Sequence, residues 1–449
     1  MLGTLNFSRA TMSPGAFGLL EITTDGLTFL ILPNFIADKI DSMLLPLPEI
    51  NIPRFNKDNL DKPMPILYTH SNTMLNHLYF ENADFLNVQI QVIVRDTTAK
   101  VPAHVMFSEC GIIVSSGGKK ISLDPSRKIS CDLTFVSHAH TDHLYKKKTG
   151  KDNSDGKTLV SKATSLIAQA RGYKINDVAD ECDGFHLMDT GHIVGSKGLL
   201  IGDEVYYTGD ISIRERAFMK PANIPAATNT LIIESTFGRP EYIFPKLTEI
   251  IHKTNRIISE MYDLGIPVLL MGYPLGKAQL LTDLFSHWDP IYVHDSVHNM
   301  NSIYTELGIP LRNLAKYSIA EKKGLLSKNK PWVMITPLIH ARSNFVKYIK
   351  ERYGAITIGF SGWAVNNGYK FMMGLDHTLP LSDHCDFREL VDVVKRCNPD
   401  KIYTFHGFSA DFASSLRKMG FDAEPITNTG VKRQSKRRTF SSPSLDLYL

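Results

Sequence analysis

The stretch Ser137-His138-Ala139-His140-Thr141-Asp142-His143 constrains this chain more than any other. Three histidines and one aspartate fall within six residues, directly after the apolar run Leu133-Thr134-Phe135-Val136. Such a run reads as a buried strand, so imidazole nitrogens and a carboxylate oxygen collect at a strand end. If the strand continues, His138 and His140 share a face, while Asp142 and His143 follow on a turn and can face a second ion. A solvated His-rich loop is the bland alternative. It is disfavoured because later segments supply every partner that a metal site needs.

Composition bounds the remaining possibilities. At 449 residues the chain has room for two or three domains, and 43% hydrophobic with 21% charged residues is globular rather than disordered. A net charge of +4 permits an anionic partner without demanding one. The five cysteines (Cys110, Cys131, Cys182, Cys385 and Cys397) form no C-x-x-C pair, which fits reduced thiols and a cytoplasmic location better than a disulfide framework. The apolar run from Leu27 to Ala37 is broken by Pro33 and Asn34 and is too short for a bilayer, so no signal peptide and no membrane segment are expected.

Residues 1–102 carry no interpretable motif. Val88 to Val94 alternates like a half-buried strand, and Leu44 to Ile66, with five prolines, reads as an extended connector. From Ala103 onward short apolar strands alternate with turns. Gly111 to Val114 and Lys120 to Leu123 flank Gly117-Gly118, a pattern that predicts a hairpin closed by Asp124-Pro125. Asp124 is then either a turn residue or a carboxylate that orients a metal-bound histidine from behind.

Three further segments end in the same kind of chemistry. Gly198 to Ile201 and Val205 to Thr208, joined by Gly202-Asp203, leave His192 and Asp210 near one end of a hairpin. The apolar run Thr230 to Ile233 ends in Glu234, where an α/β arrangement gathers ligands and catalytic groups. His384 occupies a turn before an amphipathic helix bearing Phe387, Leu390, Val391 and Val394, and His406 follows the strand Lys401 to Phe405. Between them, residues from about 240 to 370 alternate strand and helix signals as a second α/β unit. Within it Lys277 and Arg342 follow strand ends, where a cation can meet a phosphate.

His138, His140, Asp142, His143, His192, Asp210 and one of the two late histidines suffice for two ions that share Asp210 as a bridge. Zinc suits imidazole and carboxylate, and ions about 3.5–4 Å apart activate water and clamp both oxygens of an in-line displacement. Hydrolysis is therefore the expected reaction class. Glu234 with the remaining histidine makes a general acid for the leaving oxygen. Sequence spacing alone leaves open which late histidine is ligand and which is acid.

His138-Ala139-His140-Thr141-Asp142-His143 resembles the H-x-H-x-D-H signature of the metallo-β-lactamase fold, and Gly191-His192 with Gly209-Asp210 resemble its later ligand motifs. Glu234-Ser235-Thr236, Gly276-Lys277-Ala278-Gln279, Ser382-Asp383-His384 and Phe405-His406-Gly407 resemble motifs of the β-CASP nucleases within that superfamily. The likeness covers about 105–428. It implies a four-layer αββα metallo-β-lactamase domain (103–238 and 371–428) interrupted by an inserted α/β β-CASP domain (239–370), with a basic flexible tail at 429–449. It also implies two zinc ions, His406 as a ligand of the second, and His384, supported by Glu234, as the proton donor.

The expected activity is hydrolysis of phosphodiester bonds in single-stranded nucleic acid, exonucleolytic or endonucleolytic. RNA is favoured because a histidine at the position of His406 resembles RNA-processing members. A DNA repair exonuclease is the alternative. A small-molecule hydrolase would not need the insert, and a non-catalytic scaffold would have lost ligands. The tail supports the DNA alternative, since Leu445, Tyr448 and Leu449 resemble a short motif that docks on sliding clamps, although Ser442 stands where that motif usually has glutamine.

Overall fold

The computed structural model describes residues 103–426, apart from 109, 128, 146–156 and 176–177, together with five N-terminal strands. The chain divides into two compact units, Met1–Val101 and Pro102–Leu449. In the first, Leu20–Thr24 pairs antiparallel with Leu27–Ile31, and Ile90–Val94 lies between Leu67–Thr69 and Leu75–Leu78. The proline-rich connector, the apolar run beyond Ile31 and the tail 429–449 lie outside the described residues.

The second unit is mixed α/β and contains three six-stranded sheets. The first runs His104–Ser108, Gly111–Ser116, Lys119–Leu123, Leu133–Phe135, Lys157–Leu159 and Val178–Ala179 in spatial order. Its expected hairpin is present, with Val114 opposite Ile121 in antiparallel register. The second sheet runs Phe185–Asp189, Lys197–Ile201, Val205–Tyr207, Thr230–Glu234, Lys401–Phe405 and Ala423–Pro425.

Strand alternation decides what each sheet faces. Side chains two apart share a face, so Val205, Tyr207 and Ile232 pack with Phe405 against Val114, Ile121, Leu133 and Phe135 of the first sheet. The intervening Tyr206, Leu231 and Ile233 turn the other way. They meet the helices Phe387–Cys397 and Ser409–Lys418 through Leu390, Val394, Phe412 and Leu416. Two sheets face to face with helices behind the second are thereby fixed by contacts.

The third sheet is parallel throughout, with Val268–Gly272 between Val333–Pro337 and Ile356–Phe360. Both of its central strands are buried at every position, as a sheet covered on two faces requires. Its six strands all lie between residues 268 and 379. On either side of that range, Thr230–Glu234 and Lys401–Phe405 pair in parallel, with Glu234 opposite Phe405. Glu234 and His406 are thus delivered to the same carboxyl edge of the second sheet.

Candidate metal centre

The strand Leu133–Phe135 is extended by a bond from the Val136 amide to the Leu159 carbonyl, and the chain then turns through a bond from the His143 amide to the His140 carbonyl. Asp210 arrives from the neighbouring sheet. Its approach needs Gly209, whose φ of +54° is left-handed and whose hydrogen faces Ser137; a Cβ there would lie 2.7 Å from the Ser137 Cβ.

Three groups of side chains converge closely enough to hold a metal ion, and Asp210 belongs to all three. The first comprises His138, His140, His192 and Asp210. His140 Nδ1 lies 3.0 Å from His138 Nε2 and 3.1 Å from His192 Nε2. Asp210 Oδ2 lies 3.4 Å from His138 Nε2 and 3.5 Å from His192 Nε2. Bonds of 2.0–2.1 Å to a tetrahedral zinc place ligand atoms about 3.3 Å apart, so this spacing fits one ion.

The second group is His143, Asp210 and His406. His143 Nε2 stands 3.5 Å from Asp210 Oδ2 and 3.9 Å from Asp142 Oδ2, while His406 Nδ1 stands 3.8 Å from Asp210 Oδ1. His143 Nε2 and Asp210 Oδ1 are buried without a hydrogen-bond partner. Buried polar atoms are rarely left so, and both atoms belong to a group that could hold a cation, which would satisfy them. His406 itself sits at φ +58°, in the left-handed region of the backbone map.

The outward nitrogens complete the fit. His138 Nδ1 is 2.9 Å from Ser137 Oγ, His192 Nδ1 3.0 Å from the Asp383 carbonyl, and His143 Nδ1 2.7 Å from Asp124 Oδ2. Each ring is thereby turned so that its other nitrogen points inward. Asp124 also accepts from the Ser137 amide at 2.7 Å and the Tyr207 hydroxyl at 2.8 Å. The structure places it behind His143, at a strained φ of +40°.

Charge follows the same geometry. Burial pushes His138 and His192 well below the ordinary histidine range and takes His140 down to about 4, against the pull of Asp142 and Asp210. At His143 burial also disfavours the cation, but Asp210, Asp124 and Asp142 outweigh it and raise the ring to about 10. A metal ion at His143 Nε2 must displace that proton.

Glu234 and His384 form the third group with Asp210. His384 Nδ1 is 2.9 Å and 3.0 Å from the two Glu234 oxygens, and His384 Nε2 is 3.9 Å from Asp210 Oδ2. The Ile211 amide, at 2.8 Å, and the Thr236 hydroxyl, at 2.5 Å, fix the fully buried Glu234. Burial works against a charge on His384, yet Glu234 and Asp210 lift it to about 9. These side chains open onto a cleft of about 200 Å³ lined also by Phe237, Tyr273 and Trp363.

Lys277 lines that cleft but is buried, its Nζ 2.6 Å from Asp383 Oδ2. Arg342 is exposed before the helix Asn344–Tyr353 and is not among the residues lining the cleft. The sequence reading named Ser137 and Asp383 only as members of motifs, gave them no role, and missed Tyr207 and Arg216. Ser137 and Asp383 adjoin named histidines and were within reach, whereas nothing in the sequence marks Arg216 as buried.

Fold and site together define a mixed α/β protein with a histidine- and carboxylate-lined centre able to hold divalent metal. No family model matches the chain. A probable DNA ligase of Opitutus terrae is 33% identical over 327 residues, which are 69% of this chain and 30% of that protein. The transcription termination factor FttA of Methanocaldococcus jannaschii is 24% identical over 399 residues, 73% of this chain and 61% of the factor. An RNase J-like protein of the same organism is 23% identical over 366 residues, 71% of this chain and 84% of that protein. The chain thus spans 30% and 61% of the first two relatives. The relatives named as an RNase J-like protein and a transcription termination factor match the resemblance to the β-CASP nucleases read from the motifs.

Proposed function

We propose that this chain is a zinc-dependent nuclease that hydrolyses phosphodiester bonds of single-stranded nucleic acid, with RNA as its first substrate. The observation that carries the reading is the Glu234–His384 pair beside a carboxylate, Asp210, common to two groups of histidines in one cleft. His138, His140, His192 and Asp210 hold one ion in this reading, and Asp142, His143, Asp210 and His406 hold the other. Bound zinc supplies Lewis-acid activation of water and neutralisation of phosphate charge.

The chain's own groups supply the rest. His384, protonated at neutral pH, presents Nε2 to the leaving oxygen and gives up its proton there, while Glu234 holds the opposite nitrogen and stabilises the cation. Asp124 orients His143 from behind. The cleft is lined by the half-buried Trp363, backed by the buried Phe237, and an unstacked base can lie on the indole. The third sheet and its helices are assigned to a β-CASP insert that runs from 239 past the boundary of 370 read from the sequence to residue 379, where the last strand of the sheet ends, within a four-layer domain of 103–238 and 380–428.

RNA is supported by the names of two relatives, an RNase J-like protein and a transcription termination factor. DNA is the second reading, supported by the higher identity to a protein named as a probable DNA ligase. The clamp-docking tail at Leu445, Tyr448 and Leu449 belongs to that second reading. No described helix is long and apolar enough to cross a membrane. Free cysteines at all five positions accord with the cytoplasmic location assigned to this nuclease. Incubation of zinc-loaded protein with single-stranded RNA and DNA tests the activity. Cleavage undiminished in Asp142→Ala would refute the metal mechanism.

A further inference from the structure

Asp383 sits where three parts of the second unit meet. Arg216, in the segment after Asp210, donates from Nη1 to Asp383 Oδ1 at 2.9 Å and to the Ser382 carbonyl at 3.4 Å. Its Nη2 donates to the carbonyls of Gly191 and His192, the latter at 3.2 Å. Lys277, at the start of the helix after the third sheet's Val268–Gly272 strand, donates from Nζ to Asp383 Oδ2 at 2.6 Å. The Asp383 carbonyl accepts from His192 Nδ1 at 3.0 Å, and the next residue is His384.

Side-chain exposures are 2% for Arg216, 2% for Lys277 and 5% for Asp383, so two cations and one anion are buried together. Buried ion pairs contribute little net stability, because desolvation offsets their attraction, and geometric registration is the better-attested use. One carboxylate here is bonded to groups separated by 106 and 167 residues of chain. The guanidinium fork also ties the backbone that carries His192 to the backbone that carries His384.

We propose that Asp383 is a positioning residue: gripped by Arg216 from the second-sheet side and by Lys277 from the third-sheet side, it fixes His192 and His384 relative to one another. The inference rests on the nuclease reading for its kinetic consequence but not for its structural one. The test uses the full chain loaded with cobalt(II), whose visible absorption bands report ligand geometry without substrate.

Asp383→Asn is expected to shift the cobalt bands and to lower kcat on a single-stranded oligonucleotide by about 10–100-fold, with KM changed less than about twofold. Adding Lys277→Met removes one unpaired buried charge, so the thermal midpoint recovers while the bands and kcat do not. Recovery of bands and kcat together with the midpoint would show a purely structural role and overturn the proposal. Should Asp383→Asn fail to fold, Arg216→Lys, which keeps the charge but loses the fork, is expected to shift the same bands; unchanged bands would overturn the proposal equally. A chain that cleaves nothing yet shows the band shift refutes the nuclease reading and leaves the positioning role standing.

Discussion

His384 Nδ1 lies 2.9 Å from Glu234 Oε1, although 150 residues separate them, and that contact holds the imidazole in its cationic form up to about pH 9. A protonated donor works below its pKa, so kcat should fall on an alkaline limb set by His384, and zinc at Asp210, by taking up part of that carboxylate's pull, places the limb below the metal-free value. Glu234→Gln removes the carboxylate that, with Asp210, opposes burial, and His384 should drop toward the ordinary histidine value. At pH 8 the variant is then expected to lose about 10–100-fold in kcat, with its alkaline limb displaced downward. A pH profile whose alkaline limb is the same in both proteins would exclude His384 as the acid.

Metal binding should release a proton. In metal-free protein near neutrality His143 is charged, because Asp210, Asp124 and Asp142 override burial and lift it to about 10. A ligand nitrogen must be bare, so apparent affinity should weaken as pH falls. Titration calorimetry with zinc in buffers of different ionisation enthalpy reads the proton count directly. Heats that do not depend on the buffer would contradict this account of His143.

The same raised value links stability to pH. His143 has a folded pKa near 10 against an unfolded value near about 6.5, so its contribution is fully present below the lower value. It is lost as pH rises through the upper one. The thermal midpoint of metal-free protein should therefore decline between about pH 7 and 10. Asp124→Asn removes one of the opposing charges and should flatten that decline.

Much of this centre was legible because its candidate ligands follow strand ends, and strand ends are marked by apolar runs. His138 after Leu133–Phe135, Glu234 after Thr230–Ile233 and His406 after Lys401–Phe405 were readable in that way, and the structure gathers them, from two sheets, around Asp210. The residues did not separate His384 from His406 on their own. Under the proposed function their roles diverge through Glu234, which meets His384 Nδ1 at 2.9 Å from 150 residues away in the chain. Arg216 was illegible for a related reason: a charged side chain becomes buried only when a partner such as Asp383 arrives from elsewhere in the chain.

Gly209 offers a steric test that leaves every ligand in place. Alanine there would carry a Cβ at 2.7 Å from the Ser137 Cβ and hold a φ of +54°. Strain and overpacking together should destabilise the metal-free protein by about 1–3 kcal/mol. Because Asp210 is next in the chain, zinc content after dialysis should fall as well. Thermal denaturation with elemental analysis checks both, and full occupancy in Gly209→Ala would show that the Ser137 contact does not set the position of Asp210.

RNA and DNA readings diverge in one experiment. Paired oligonucleotides of identical sequence, labelled at the 5′ or the 3′ end, are given to zinc-loaded protein and to Asp142→Ala. The RNA reading expects kcat/KM at least about tenfold higher on RNA, equivalent to about 1.4 kcal/mol of transition-state discrimination. That margin requires a group in the cleft that senses the 2′-hydroxyl, the atom by which a protein tells the two polymers apart. Equal or greater activity on DNA would transfer the assignment to the second reading, in line with the 33% identity to the ligase-named relative. A peptide spanning residues 431–449, titrated against a sliding clamp, then asks whether Leu445, Tyr448 and Leu449 connect the chain to DNA. Loss of labelled ends one nucleotide at a time indicates an exonuclease and gives its polarity, whereas internal fragments from both labels indicate an endonuclease.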